Sequence, residues 1–213
     1  MIDELVPLAS RTYGLLLLLL LFSRSMDFIS TWVATPNMVL EGNPIAKKLG
    51  WTWGIPINLG LCFLFAFWAL PALVISTTSI LVAARNFQNA WLMRSLGEEA
   101  YRDWYVARVQ ETSATLYLFC LFAQTGLIAG VGGAIVFFTQ QTLVPLAIGL
   151  GIIAYAAAVL FYTLLGVWRL RRLSLLKAEF AQRNLAALRA PLAGRDSTLV
   201  GVCAAEEAQP QGK

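Results

Sequence analysis

Arg24, Asp27 and Thr31 stand at i, i+3 and i+7 just after seven consecutive leucines, Leu15–Leu21. On a helix this spacing puts the three on one stripe, with Ser23 and Ser30 flanking it. An ionised side chain in hydrocarbon costs about 2.5–3.5 kcal/mol on insertion scales. A charge in such a place therefore calls for a partner or a function, and pairing Arg24 with Asp27 offsets much of the cost. A carboxylate at that depth is suited to holding a cation, a proton or a lipid headgroup. The loop beyond adds Glu41-x-Asn43-Pro44, a second carboxylate with an amide close behind it. Those residues also have a plainer use: Asn43 caps a helix, Pro44 fits its first position, and Glu41 sits favourably before its N-terminus.

Most familiar chemistry is missing. The 213 residues contain no histidine, which removes the commonest general base and metal ligand. Cys62, Cys120 and Cys203 are scattered, so neither a zinc site nor a disulfide framework is expected. No phosphate loop, nucleophile elbow or dinucleotide-binding glycine pattern occurs, and no spaced aspartate pair offers a Mg²⁺ site. No metal or cofactor is expected, and no catalytic residue can be assigned by motif.

The elements that must position the stripe are membrane spans. The chain is 58 % hydrophobic and 13 % charged, about half the charged fraction of a soluble domain. The reading is an all-α polytopic membrane protein with four transmembrane helices, at about 10–34, 55–84, 114–138 and 143–168. The start, Met1-Ile2-Asp3-Glu4, lacks the positive region of a secretory signal, so the first span is expected to be retained. Asn43-Pro44 starts a short helix ended by Gly50, with Trp51 and Trp53 anchoring the re-entry. Pro71 is expected to kink the second span and free a carbonyl near Phe67. Ser95-Leu96-Gly97-Glu98 matches a capping box. It precedes an interfacial amphipathic helix carrying Tyr101, Trp104, Tyr105 and Arg108 on one face and a Glu98–Arg102 pair on the other.

Gly126, Gly130 and Ala134 form a small-residue stripe on span 3, mirrored by Gly151, Ala154, Ala157 and Ala158 on span 4; packing of these two spans is its expected use, a homodimer seam the sharper one. Span 4 leads into a basic cytoplasmic helix, 169–190, and a disordered tail, 191–213. Lys and Arg counts place the inner (plasma) membrane chain with both termini in the cytoplasm and the Glu41–Lys48 loop outside.

The order Asp27-x-x-Ser30-Thr31, then Glu41-x-Asn43-Pro44, resembles a family of small prokaryotic membrane proteins whose domain has no known function. The likeness covers about residues 15–70 and implies that Asp27, Thr31, Glu41, Asn43 and Pro44 are the distinctive set; Arg24 lies outside it. Three functions are then open. The first is a scaffold or accessory subunit of a membrane assembly. The second is a small oligomeric transporter or channel using Arg24 and Asp27. The third is a lipid-headgroup enzyme with Asp27 or Glu41 as base. The expected partners are the bilayer and either a second copy or another membrane protein, with no nucleic acid.

Overall fold

A computed structural model describes residues 5–139, 142–170 and 172. The expected basic helix and tail lie outside these residues, apart from the first few positions. The described chain is all-helical: α1 Arg11–Ala34, α2 Pro44–Phe65, α3 Ala69–Leu96, α4 Glu98–Glu111, α5 Ala114–Phe138 and α6 Leu143–Leu170. Four of these, α1, α3, α5 and α6, are long and apolar enough to cross a membrane. The described residues up to Gly166 form one compact unit, and the Arg24 stripe lies in it.

Helix starts follow local chemistry. Ser10 accepts from Tyr13 N, and Ser113 from Leu116 N, each relieving an orphan donor in the first turn. Asn43 accepts from Ile45 N and Ala46 N, with Pro44 in the first helical position. Gly50, at φ 63°, breaks α2 into the short Pro44–Leu49 turn and a longer limb, a conformation that glycine adopts without steric cost.

The expected second span, 55–84, is not one helix. The chain breaks at Ala66–Trp68, and the apolar stretch folds into two antiparallel limbs. Pro71 is the third residue of α3, in the first turn, where its missing N–H leaves no bond unmade. It therefore kinks nothing, and the Phe67 carbonyl accepts from Val6 N at 2.9 Å. The limb Trp51–Phe65 is about 22 Å long, against about 36 Å for α1.

Contacts fix the directions. α2 descends against α1, pairing Trp51 with Phe28, Asn58 with Arg24, and Cys62 with Leu20. α3 then rises parallel to α1, placing Ser79 beside Arg24 and Asn86 beside Ser30 and Thr31. One end of the bundle thus holds Val6, Tyr13 and the Ala66–Trp68 break. The other holds residues 35–43.

Glu98 settles which end α4 occupies. Its carboxylate accepts from Thr35 Oγ1, Asn37 N, Asn37 Nδ2 and Val39 N at 2.7–3.1 Å. The Glu41 loop and the arginine-bearing α4 segment therefore share one end, contrary to the expectation of opposite sides. The expected capping box fails for the same reason. Gly97, at φ 83°, takes the cap position, Ser95 donates to Leu92 O, and Glu98 turns to the loop. Arg102 pairs with Glu99 and Asp103, not with Glu98.

The expected packing stripe is also displaced. Gly126, Gly130 and Ala134 are not buried, and a Cβ on either glycine would meet nothing within 4 Å. α5 and α6 meet instead at Gly132 and Gly149, where a Cβ on Gly132 would lie 2.7 Å from Gly149 O. Gly151 packs on Thr77 of α3, and Thr78 Oγ1 donates to Gly151 O at 3.0 Å.

Candidate functional site

The Arg24 stripe faces inward, onto α2 and α3. Arg24 Nη1 donates to Asp27 Oδ2 at 2.8 Å and to Ser79 Oγ at 3.1 Å. Its Nε donates to Asn58 Oδ1 at 3.0 Å, and Nη2 donates to the same oxygen. The guanidinium also lies over the Phe28 ring. Asn58 is oriented by donating Nδ2 to Gly54 O one turn earlier. One arginine thus joins α1, α2 and α3, with its charge neutralised by an acid on its own helix.

A second rung lies two turns further along. Asn86 Nδ2 donates to Ser30 Oγ and Thr31 Oγ1, while Ser30 Oγ donates to Asp27 O. Asp27, Ser30 and Thr31 are thereby drawn into one polar seam between α1 and α3. Ser30 and Ser79 are almost fully buried, so each hydroxyl must be satisfied within the protein.

The loop residues are engaged elsewhere. Glu41 Oε1 accepts from Asn43 N at 2.7 Å, and Asn43 caps α2. Among the described residues no hydrogen bond joins Asp27 to Glu41 or Asn43. The structure brings together Arg24, Asp27 and Thr31, and places Glu41, Asn43 and Pro44 in a separate capped turn. The loop leading into that turn is latched by Glu98. Burial pushes the Glu98 carboxyl up, but the donors from Asn37, Thr35 and Val39 outweigh it and hold it below the ordinary carboxylate value.

Four partners were not singled out in the sequence: Asn58, Ser79 and Asn86 in the seam, and Glu98 as a loop ligand. Asn58 is the lone amide of an apolar helix, and such amides in membrane segments mark interhelical hydrogen bonds, whereas Asn86 shares its stretch of α3 with Arg85, Gln88 and Asn89. That signal was present to be read. Glu98 carried a misleading one, its capping-box spacing.

A cavity of about 230 Å³ lies against the clamp, walled largely by Leu20, Leu61, Phe65 and Ile75, with Arg24 and Asn58 beside it. Its apolar walls offer no row of oxygens along which an ion could pass. No group of three or more His, Cys, Asp or Glu side chains converges among the described residues.

Fold and site together define an all-helical polytopic membrane protein with a polar seam buried between its first three helices. No family model, curated protein or solved structure matches the chain. The resemblance over residues 15–70 accordingly stands on its own residues and brings no activity with it.

Proposed function

We propose that the protein is a non-catalytic component of a membrane assembly, an accessory or scaffold subunit. One observation carries the reading: the Arg24–Asp27 pair, the strongest candidate for chemistry, is engaged by Asn58 and Ser79 as a three-helix clamp. A transport or acid–base site needs groups left free to bind or to exchange protons. Photo-crosslinking groups at exposed Trp104 and Phe119, in cells, should capture a discrete partner. Flux in reconstituted vesicles that Asp27→Asn abolishes would overturn the reading in favour of transport.

We infer further that the end holding residues 35–43 faces the cytoplasm across an inner (plasma) membrane. Lys47, Lys48, Arg94, Arg102 and Arg108 gather there, with Arg11 at the other end, which matches the positive-inside bias. Trp32, Trp53, Trp91 and Trp104 are exposed around the same end, as an interfacial belt would be. The N-terminus then faces away from the cytoplasm, opposite to the assignment from charge counts alone. Reporter fusions at the N-terminus and within residues 35–43 should report opposite sides. Reports from a single side would refute this topology.

A further inference from the structure

A guanidinium carries five N–H donors and no acceptor; a side-chain amide carries two donors and one oxygen. Within the clamp, Arg24 uses its Nε donor and one Nη2 donor on Asn58, and both Nη1 donors on Asp27 and Ser79. Asn58 uses one Nδ2 donor on Gly54 O, and its Oδ1 takes both of the Arg24 bonds. One N–H on Arg24 Nη2 and one on Asn58 Nδ2 are therefore not engaged by any described residue. Buried donors of this kind are normally satisfied.

Both residues border one cavity, and the other residues lining it bring no side-chain oxygen. Leu20 and Cys62, almost fully buried, form its inner side. Leu61 on α2 is 40 % exposed and Ile75 on α3 is partly so, which opens the cavity toward lipid between these two helices. Its volume of about 230 Å³ exceeds the roughly 150 Å³ of an engineered apolar cavity that stays dry and binds benzene. One substituted six-membered ring fits such a space.

Depth and charge narrow the head that the two donors would hold. Arg24 stands about 20 Å from the start of α1 and about 15 Å from its end, close to mid-span. Phospholipid ester and phosphate oxygens lie at the edges of the ~30 Å hydrocarbon core, too far away to reach it. Asp27 already neutralises Arg24, so an anionic head would leave a net negative charge in the middle of the membrane, which is costly. A hydroxyl would bring a donor that no lining side-chain oxygen can receive. A neutral carbonyl only accepts, and meets both conditions. We propose that the cavity binds the carbonyl-bearing ring of a lipid-soluble quinone. One ring oxygen accepts from Arg24 Nη2 and Asn58 Nδ2, and the tail leaves past Leu61 into lipid. The site uses donors that the clamp leaves over, and does not depend on the scaffold reading.

The test uses the full chain in mild detergent with decylubiquinone, with phosphatidylglycerol, or with decylbenzene, which has the same tail and a ring without oxygens. Native mass spectrometry and melting temperature are the readouts. Decylubiquinone should bind once per chain, at least about tenfold more tightly than decylbenzene, and raise the melting temperature. Leu61→Trp, which fills the mouth of the cavity, should lose that binding while the unliganded protein melts no lower. Leu64→Trp, on the exposed surface of α2 outside the cavity, should keep it. Asn58→Leu should lose the preference for decylubiquinone over decylbenzene; should it not fold, Leu61→Trp and the comparison of the two ligands carry the test. Equal binding of the two ring compounds would leave only an apolar slot and overturn the assignment. Undiminished binding in Leu61→Trp, or phosphatidylglycerol displacing decylubiquinone at comparable concentration, would overturn it as well.

Discussion

Replacing Asp27 with asparagine isolates the value of the clamp. The substitution keeps size and one acceptor but leaves Arg24 charged, with only Asn58 and Ser79 to hold it. Removing one partner of a buried pair typically costs about 3–5 kcal/mol, chiefly through the uncompensated charge left behind. Here the Arg24 and Asp27 side chains are 27 % and 19 % exposed, and two neutral acceptors remain. The expected loss is therefore nearer ~2–3 kcal/mol. Replacing both residues with leucine removes the pair and its desolvation together, and should lie within about 1–2 kcal/mol of wild type, since such replacements are often neutral. With Asp27→Leu and Arg24→Leu as the single variants, each expected to cost a similar ~2–3 kcal/mol, the double-mutant cycle gives a coupling of roughly 3 kcal/mol between the two positions. Reversible unfolding in mixed micelles, followed by tryptophan fluorescence, measures all four proteins. A coupling near zero, or a double variant that fails to fold, would refute the reasoning that a neutralised pair holds the three helices.

Three further outcomes are expected. Glu98→Gln should weaken the latch on residues 35–39 by about 1.5–3 kcal/mol, because hydrogen bonds to a charged acceptor are lost, and proteolysis within that loop should quicken. The Glu98 pKa is lowered by folding, so its contribution is present above the ordinary value of 4.5. It is lost as pH falls through the lower folded value; a wild-type loop that stays equally protected at pH 3 and 7 would contradict this. Gly151→Ala sets a Cβ 2.6 Å from Thr77 Cβ and should destabilise by about 1–3 kcal/mol, whereas Gly126→Ala, in open surroundings, should be silent; melting curves decide. Asn43→Ala removes the α2 cap and should cost about 1 kcal/mol in the same unfolding assay.

Hydropathy made most of the membrane helices legible, because α1, α5 and α6 are each close to one bilayer in length. It failed at residues 55–84. Ala66-Phe67-Trp68 is as apolar as its neighbours, so the reversal there leaves no compositional trace, and Pro71 gave a false one. Missing that reversal also set residues 35–43 and the α4 segment at opposite ends, whereas Glu98 joins them at one. The Arg24–Asp27 pair and the Asn43 cap were readable because both are local, within three residues along one helix. Asn58, Ser79 and Asn86 were not assignable as partners, because their contacts depend on how α2 and α3 lie against α1. The glycine stripe misled because spacing alone does not say which of several glycines faces a neighbour: Gly132 does, and Gly130 does not.

The three-residue separation of Arg24 and Asp27 has a consequence for biogenesis. Both are present when α1 leaves the ribosome, whereas Asn58 and Ser79 emerge 34 and 55 residues after Arg24. This helix thus carries its own counter-charge while it partitions into lipid, before Asn58 or Ser79 is available to shelter it. Had the acid been on α3 instead, α1 would have to wait, singly charged, beside the insertion machinery. The order of synthesis favours an internal pair first and a clamp afterwards, so one arginine can serve two successive stages of assembly.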